Sequence, residues 1–256
     1  MAVFSKGQIT GTIIINAHAM GDGTIVNFTD KEHLIKNVSS QHFEIDKVIK
    51  KMHPYSIKSD YVEIAPMGMQ EISNSDFTFC LWSYAPLYSS YNYDIVIEDY
   101  DVSSIGYYGG IFLRNYNGGV GLPVNEFGLI LQRGDGNYDV RGLTLAKKSF
   151  DQWNYYTIAK KGSMMYYFRD GKLLYSQDIS NICNYYLENK GDLRFYSGFA
   201  GANNQPHYVD DIVLIKDQCL WTEDFTLPTE PLIGDLESKQ VIFPHHKISN
   251  LKLFVY

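Results

Sequence analysis

Two stretches of this chain constrain its fold more than any others. Phe77–Ala85 sets Phe77, Phe79, Leu81 and Ser83 against Thr78, Cys80, Trp82 and Tyr84. That period of two puts successive side chains on opposite faces of a strand. Met164–Arg169 and Lys172–Ser176 are separated only by Asp170-Gly171. Two β-prone segments joined by an Asp-Gly pair form a tight hairpin, because its turn needs positive φ and Gly adopts it without steric cost. A chain with these features at its centre builds antiparallel sheet.

Similar signals recur along the sequence. Strands are predicted at Gln8–Asn16, Asp60–Ala65, Asp94–Glu98, Gly110–Arg114, Phe127–Gln132, Asn154–Ala159, Asp192–Tyr196 and Tyr208–Ile215. Turn signals separate them with no intervening helices, which implies an antiparallel sandwich or barrel. The abundance of Tyr and Phe, 21 and 14 residues, agrees with this, since aromatic side chains suit a pleated, half-buried surface. Phe43, Ile45, Val48, Ile49 and Met52 are spaced for either a short helix or a strand followed by a turn.

The 256 residues divide into three unequal parts. Residues 1–54 form an N-terminal segment that contributes a strand to the sandwich or acts as a docking arm. Residues 55–231 carry the main series of strands. Residues 232–256 are a tail in which Leu251, Leu253 and Val255 alternate with Lys252, Phe254 and Tyr256. Such a terminal strand pairs with this protein's own sheet or with a partner's edge.

Charge and cysteine content exclude several functions. The 22 basic and 29 acidic residues leave a net charge of −7, whereas nucleic-acid binding needs basic surface to displace counterions. Cys80, Cys183 and Cys219 are odd in number and contain no CxxC pair, so they read as free, buried thiols rather than as a disulfide framework or zinc site. The opening Met1-Ala-Val-Phe-Ser-Lys-Gly-Gln lacks the apolar core of a signal peptide. No window reaches the ~18 apolar residues of a membrane helix.

Four stretches together resemble the concanavalin A-like (laminin-G-like) lectin/glucanase superfamily. They are Ser59–Ile64, Ser75–Trp82, Trp153–Lys160 with Tyr166–Lys172, and Tyr208–Ile215 with Leu220–Pro228. The fourth is the most specific and is similar to the closing segment of concanavalin A-like modules in tailed-bacteriophage virion proteins. Together they span roughly two thirds of the chain. His207-Tyr208 stands where the family usually has Gly before this strand. The resemblance implies an all-β, two-sheet antiparallel jelly-roll sandwich. Its structural positions here are Trp82, Trp153, Asp170, Gly171, Asp210, Asp211, Phe225 and Pro228. It implies that Asp210-Asp211 supports neighbouring backbone or, in some members, an ion. Phe225 to Pro228 is expected to cross the outside of the sandwich and place Phe225 in a pocket.

Glucanases of this superfamily align three carboxylates on one strand, Glu-x-Asp-x-x-Glu, to supply nucleophile and acid/base. Glu44-Ile-Asp46 lacks the third carboxylate, and Glu98, Asp99 and Asp101 have the wrong spacing. No catalytic residues are therefore assigned. Asp135, Asn137 and Asp139 alternate like calcium ligands, but Val140 and Ala146 stand where an EF-hand needs Gly and Glu, so a hairpin turn is the better reading. No cofactor is expected beyond that weak calcium candidate. His245 and His246 are adjacent on an extended tail and point opposite ways. Gly118-Gly119-Val120-Gly121 lacks the GK[ST] of a phosphate loop.

Tyr88, Tyr91, Tyr93, Tyr100, Tyr107, Tyr108 and Tyr116 crowd one stretch. Tyr stacks on sugars and is favoured at protein interfaces. Tyr88, Tyr91, Tyr93, Tyr107, Tyr108 and Tyr116 are the candidate glycan or partner contacts. The expected function is that of a non-enzymatic virion structural protein of a tailed phage, a capsid decoration, head-fibre or tail-associated component. It would be made in the host cytoplasm and act as an oligomer or part of a larger assembly. Its expected partners are other virion proteins and a host-surface glycan, with neither nucleic acid nor membrane among them. A free-standing carbohydrate-binding module is the alternative.

Overall fold

The computed structural model describes residues 9–19, 25–27, 34–38, 44–46, 48–52, 56–59, 61–65, 75–84, 91–100, 109–116, 126–132, 138–147, 149–180, 192–196, 207–233 and 240–242. They contain seventeen strands and no helix. In chain order these are β1 Thr12–Ala19, β2 Ile25–Asn27, β3 Leu34–Val38, β4 Glu44–Asp46, β5 Ser56–Ser59 and β6 Tyr61–Ala65. Then follow β7 Phe77–Tyr84, β8 Tyr91–Tyr100, β9 Gly109–Tyr116, β10 Glu126–Gln132, β11 Tyr138–Lys147 and β12 Trp153–Lys161. The last are β13 Met164–Arg169, β14 Lys172–Asp178, β15 Asp192–Tyr196, β16 His207–Lys216 and β17 Gln240–Ile242.

The strands form two antiparallel sheets. The ten-stranded sheet runs β14-β13-β12-β7-β16-β1-β2-β17, with β5 also on β16 and β4 on β5. The seven-stranded sheet runs β11-β10-β9-β8-β15-β6-β3. Phe127 of β10 meets Tyr156 of β12 with ring centroids 5.5 Å apart. The Arg169 guanidinium sits 5.0 Å from the Phe127 ring, and its Nη1 donates to the Lys147 carbonyl of β11 at 2.7 Å. The protein is thus an all-β antiparallel sandwich.

The central strands have two buried faces. Seven of the eight residues of β7 are buried, and so are Asn154–Lys160 of β12. Tyr156 contacts the opposite sheet, and by alternation Phe79, Leu81, Ile158 and Tyr167 share its side. Cys80, Trp82, Tyr155, Ala159, Phe168, Val213 and Ile215 form a second core on the outer face, with Trp221, Phe225, Leu232 and Ile233. Residues 217–233 are the cover of that face, and we call them the strap.

The Asp-Gly hairpin anchors the strap. Asp170 and Gly171 have φ of 54° and 74°, as the two-residue turn between β13 and β14 requires. The Gly171 carbonyl accepts from the Phe225 amide at 2.8 Å. A Cβ at Gly171 would lie 2.3 Å from the Phe225 carbonyl oxygen, so this turn needs Gly for its φ and for the close approach. Gly162, in the β12–β13 turn, has φ of 56° but open space around it.

Differences from the sequence reading follow from position in the sheets. β11 carries no clean alternation, because Arg141, Gly142 and Lys147 interrupt it; it is an edge strand with one ladder partner. Of the two readings of Phe43–Met52, the strand-and-turn form is the one observed, with β4 followed by bends at 48–52. The predicted terminal strand at Leu251–Val255 lies outside the described residues.

The two glycines give a discriminating test. Gly162→Ala should cost about 1–2 kcal/mol, the penalty of placing a side chain at positive φ. Gly171→Ala should cost several times more, because it also drives the strap off the turn. Urea denaturation of both variants measures the difference, and equal costs would contradict the strap's anchoring at Gly171.

Candidate functional site

The outer face of the ten-stranded sheet is where most of the described motif residues meet. Its organising point is a bulge in β16. Asp210 pairs with Trp82 and Val213 with Cys80, so β16 carries one extra residue against β7. Asp211 sits there with φ of 50°, a conformation that Asp tolerates better than most residues. The extra residue keeps Val209, Ile212 and Leu214 on the inter-sheet side and returns Val213 and Ile215 to the outer core.

Both acidic side chains at the bulge are fully buried. Asp210 Oδ2 accepts from the Met52 amide at 2.8 Å and its Oδ1 from the Asp211 amide at 2.9 Å. Asp211 Oδ2 accepts from the Leu232 amide at 3.1 Å. The pair therefore holds bends 48–52 on one side and the end of the strap on the other. Thr78 works in the same way: its hydroxyl donates to the Gln218 carbonyl and accepts from the Leu220 amide. Gln218 Oε1 in turn accepts from the Thr10 and Gly11 amides.

Phe225 is buried between sheet and strap. Its ring stacks on Trp221 at 4.0 Å and meets Phe168 and Tyr155 edge-on at 5.4 and 6.3 Å. Pro228 is half-buried three residues on. Asp170 Oδ1 accepts from the Tyr155 amide at 2.8 Å. Burial raises the Asp170 carboxyl above the ordinary range, against the lowering effects of that amide, Arg169 and Lys51. Asp224 shifts the other way. Its bonds from Lys172 and from the Leu173 amide hold its carboxyl below the ordinary range.

Trp153, Tyr84 and Tyr208 stand in register on β12, β7 and β16, and all three are half-buried. The Tyr84 ring lies 5.8 Å from Trp153 at 58° and 5.8 Å from Tyr208 at 79°. In the next row Trp82, Tyr155 and Asp210 are at most 3% exposed. The Lys51 ammonium rests 4.1 Å from the Trp82 ring centroid. The sequence marks Trp153 as a strand aromatic but singles out neither Tyr84 nor Tyr208. Only strand pairing brings the three together.

The tyrosines that the sequence does single out belong to the other sheet. Tyr91 and Tyr116 are register partners on β8 and β9, and Tyr93 pairs with Arg114. Tyr88, Tyr107 and Tyr108 lie outside the described residues. So do Asp135 and Asn137, while Asp139 lies in β11; the β10–β11 ladder closes at Gln132 and Tyr138, around that loop. Among the described residues no cluster of three or more His, Cys, Asp or Glu is placed to hold a metal. No helix among them is long and apolar enough to cross a membrane.

The groups described offer little to catalysis. Glu44 and Asp46 lie on β4 of the ten-stranded sheet, and Glu98 lies on β8 of the seven-stranded one. Asp101 lies outside the described residues. Burial raises the Cys80 thiol far above its usual value and pushes Cys219 up to about 11, so neither is an activated thiolate.

No family model matches the sequence, and no curated protein matches it. Solved structures do share its fold. The binding domain of Paraclostridial Mosquitocidal Protein 1 superposes with a TM-score of 0.57 at 13% identity, over 82% of this chain and 50% of that one. The botulinum neurotoxin serotype D binding domain gives 0.54 at 14% identity, over 87% and 50%. A structure of botulinum neurotoxin type C, which enters cells in dependence on interaction with two ganglioside molecules, gives 0.52 at 13% identity, over 86% and 50%. This chain thus spans half the length of each.

The strap carries its own pH signature. Because the Asp224 carboxyl is depressed in the folded protein, its contribution is present above the unfolded value of about 3.9 and is lost as pH falls through the folded one. Asp224→Asn should lower stability near neutrality and flatten its fall below about pH 4. Urea midpoints of both proteins across that range test this, and parallel curves would contradict it.

Proposed function

We propose that this chain is a non-catalytic binding and assembly module of the concanavalin A-like type, serving in the virion of a tailed phage and contacting host-surface glycan. The observation that carries the reading is the unit formed by β16 and the strap. It is built from Tyr208–Ile215 and Leu220–Pro228, the stretch whose sequence resembles the closing segment of phage concanavalin A-like modules. In this unit Asp210, Asp211 and Asp224 accept backbone amides, which gives these carboxylates an architectural role.

The binding part of the reading draws support from the fold. The three solved structures above belong to binding domains or to a toxin that depends on gangliosides. Tyr91, Tyr93 and Tyr116 on the seven-stranded sheet, with Tyr88, Tyr107 and Tyr108, are the proposed contacts for glycan or for neighbouring virion proteins. The assembly part assigns the C-terminal strand at Leu251–Val255 to partner chains. β17 in this tail pairs with β2 over three residues at the edge of the ten-stranded sheet. The protein would be made in the host cytoplasm and carried in the virion, as capsid decoration, head fibre or tail component.

Light scattering of the full chain and of a chain ending at Ile233 tests the assembly role. Leu232 and Ile233 are buried in the outer core, so the deletion begins after them. An oligomeric full chain and a folded monomeric truncation are the expected outcome. A monomeric full chain whose truncation unfolds would assign the tail to the sandwich and leave the free-standing carbohydrate-binding module as the better reading.

A further inference from the structure

We propose that Asp170 is a site of isoaspartate formation and that its conversion unlatches the strap from the outer core.

The chemistry belongs to the Asp-Gly pair. The Gly171 amide nitrogen attacks Asp170 Cγ and forms a new C–N bond. The nitrogen loses its proton, and a carboxyl oxygen leaves as water. The resulting five-membered succinimide takes up water at either of its carbonyls. Opening at Cγ restores aspartate. Opening at the main-chain carbonyl carbon routes the chain through Cγ and leaves isoaspartate. Water is lost and regained, so the sum is an isomerisation that needs no oxidant or other reactant. Gly171 carries no side chain to hinder the attack. The neutral acid is the form that gives up water, and burial raises the Asp170 carboxyl above its ordinary range.

The turn sets the pace. With φ of 54° and 74° at its two central residues it is of type I′, in which ψ at the first is also positive. In that conformation the Gly171 nitrogen lies anti to Asp170 Cβ, away from Cγ. Ring closure therefore requires the 170–171 peptide plane to turn over. It also requires the carboxyl to leave the Tyr155 amide, which donates to Oδ1 at 2.8 Å. The folded hairpin thus holds the reactive pair apart, and conversion proceeds only through local opening.

The consequence falls on the strap. Isoaspartate adds one backbone atom to a turn of two residues that joins the register partners Arg169 and Lys172. It also takes away the carboxyl that accepts from Tyr155. This end of the hairpin carries three bonds to the strap. The Gly171 carbonyl accepts from the Phe225 amide, and Asp224 accepts from Lys172 Nζ and from the Leu173 amide. There is no slack to absorb a longer turn, since even a Cβ on Gly171 would come within 2.3 Å of the Phe225 carbonyl oxygen. Nor has the strap a ladder of its own to fall back on, because Phe225 makes its single isolated bridge.

The test ages the full chain at physiological temperature and mildly acidic pH, folded and in urea. Peptide mapping with electron-transfer fragmentation distinguishes isoaspartate from aspartate at position 170. Conversion is expected in both samples and roughly tenfold slower in the folded one, the mark of a local opening step. Brief chymotrypsin treatment of the aged folded sample then reports on the strap, because Trp221 and Phe225 are buried while it is docked. Chains cut after either residue should be several-fold richer in isoaspartate at 170 than the chains left intact. Asp170→Glu forms no five-membered ring, so its strap should resist chymotrypsin equally before and after ageing. No isoaspartate in the folded chain once the unfolded chain has converted would overturn the site. Equal rates in the two samples would overturn the control by the turn. Equal isoaspartate in cut and intact chains, or a strap that opens with age in Asp170→Glu, would overturn the unlatching.

Discussion

A strand with apolar side chains on both faces needs two covers, and the central strands of the ten-stranded sheet are such strands. One cover is the opposing sheet, reached through Tyr156 and Phe127. The other is the strap with bends 48–52. Burial of large aromatic side chains favours that second layer strongly, but it is non-directional and fixes no register. Register comes from polar contacts whose partners are backbone amides. Asp210, Asp211, Thr78 and Asp224 each hold a covering segment at a defined residue. Leaving such amides buried and unpaired would cost about 1–3 kcal/mol each, which is what makes alternative placements of the cover unfavourable.

The Asp-Gly turn links the two kinds of constraint. Its positive φ values close the β13–β14 hairpin, and the Gly171 carbonyl then fixes the Phe225 amide. Local backbone chemistry thereby sets where the strap crosses, and Phe225 fills the outer core only because of that crossing. The bulge at Asp211 does comparable work in β16. It changes the alternation mid-strand, so that apolar residues face both layers. A single strand thus serves two cores and presents an acidic pair to the segments that close one of them.

The strap and bends 48–52 turn the outer face of β7, β12, β13 and β16 into a core. The clamping carboxylates are engaged with amides, and burial holds the Cys80 and Cys219 thiols protonated.

Much of this was legible in the residues. The period-two pattern of β7, the strand signals at β12, β13 and β16 and the Asp-Gly turn determine an antiparallel all-β chain, because strand patterning and turn chemistry are local properties. Edge strand β11 was not legible, since a strand paired on one side is under weaker demands for alternation. The paired aspartates and the Phe225 segment stood out in the sequence, but their partners Met52, Leu232 and Gly171 did not, being distant along the chain. Trp153, Tyr84 and Tyr208 each fall in a strand that the sequence predicts or motif it marks, but nothing in the sequence joins them into a row. Its members are ordinary strand aromatics, and only the pairing of β12 with β7 and of β7 with β16 brings them into line. The sequence by itself determined the strands and turns; the tertiary structure decided which aromatic side chains became core and which stayed partly exposed, because exposure depends on what packs above a residue and not on its neighbours in the chain.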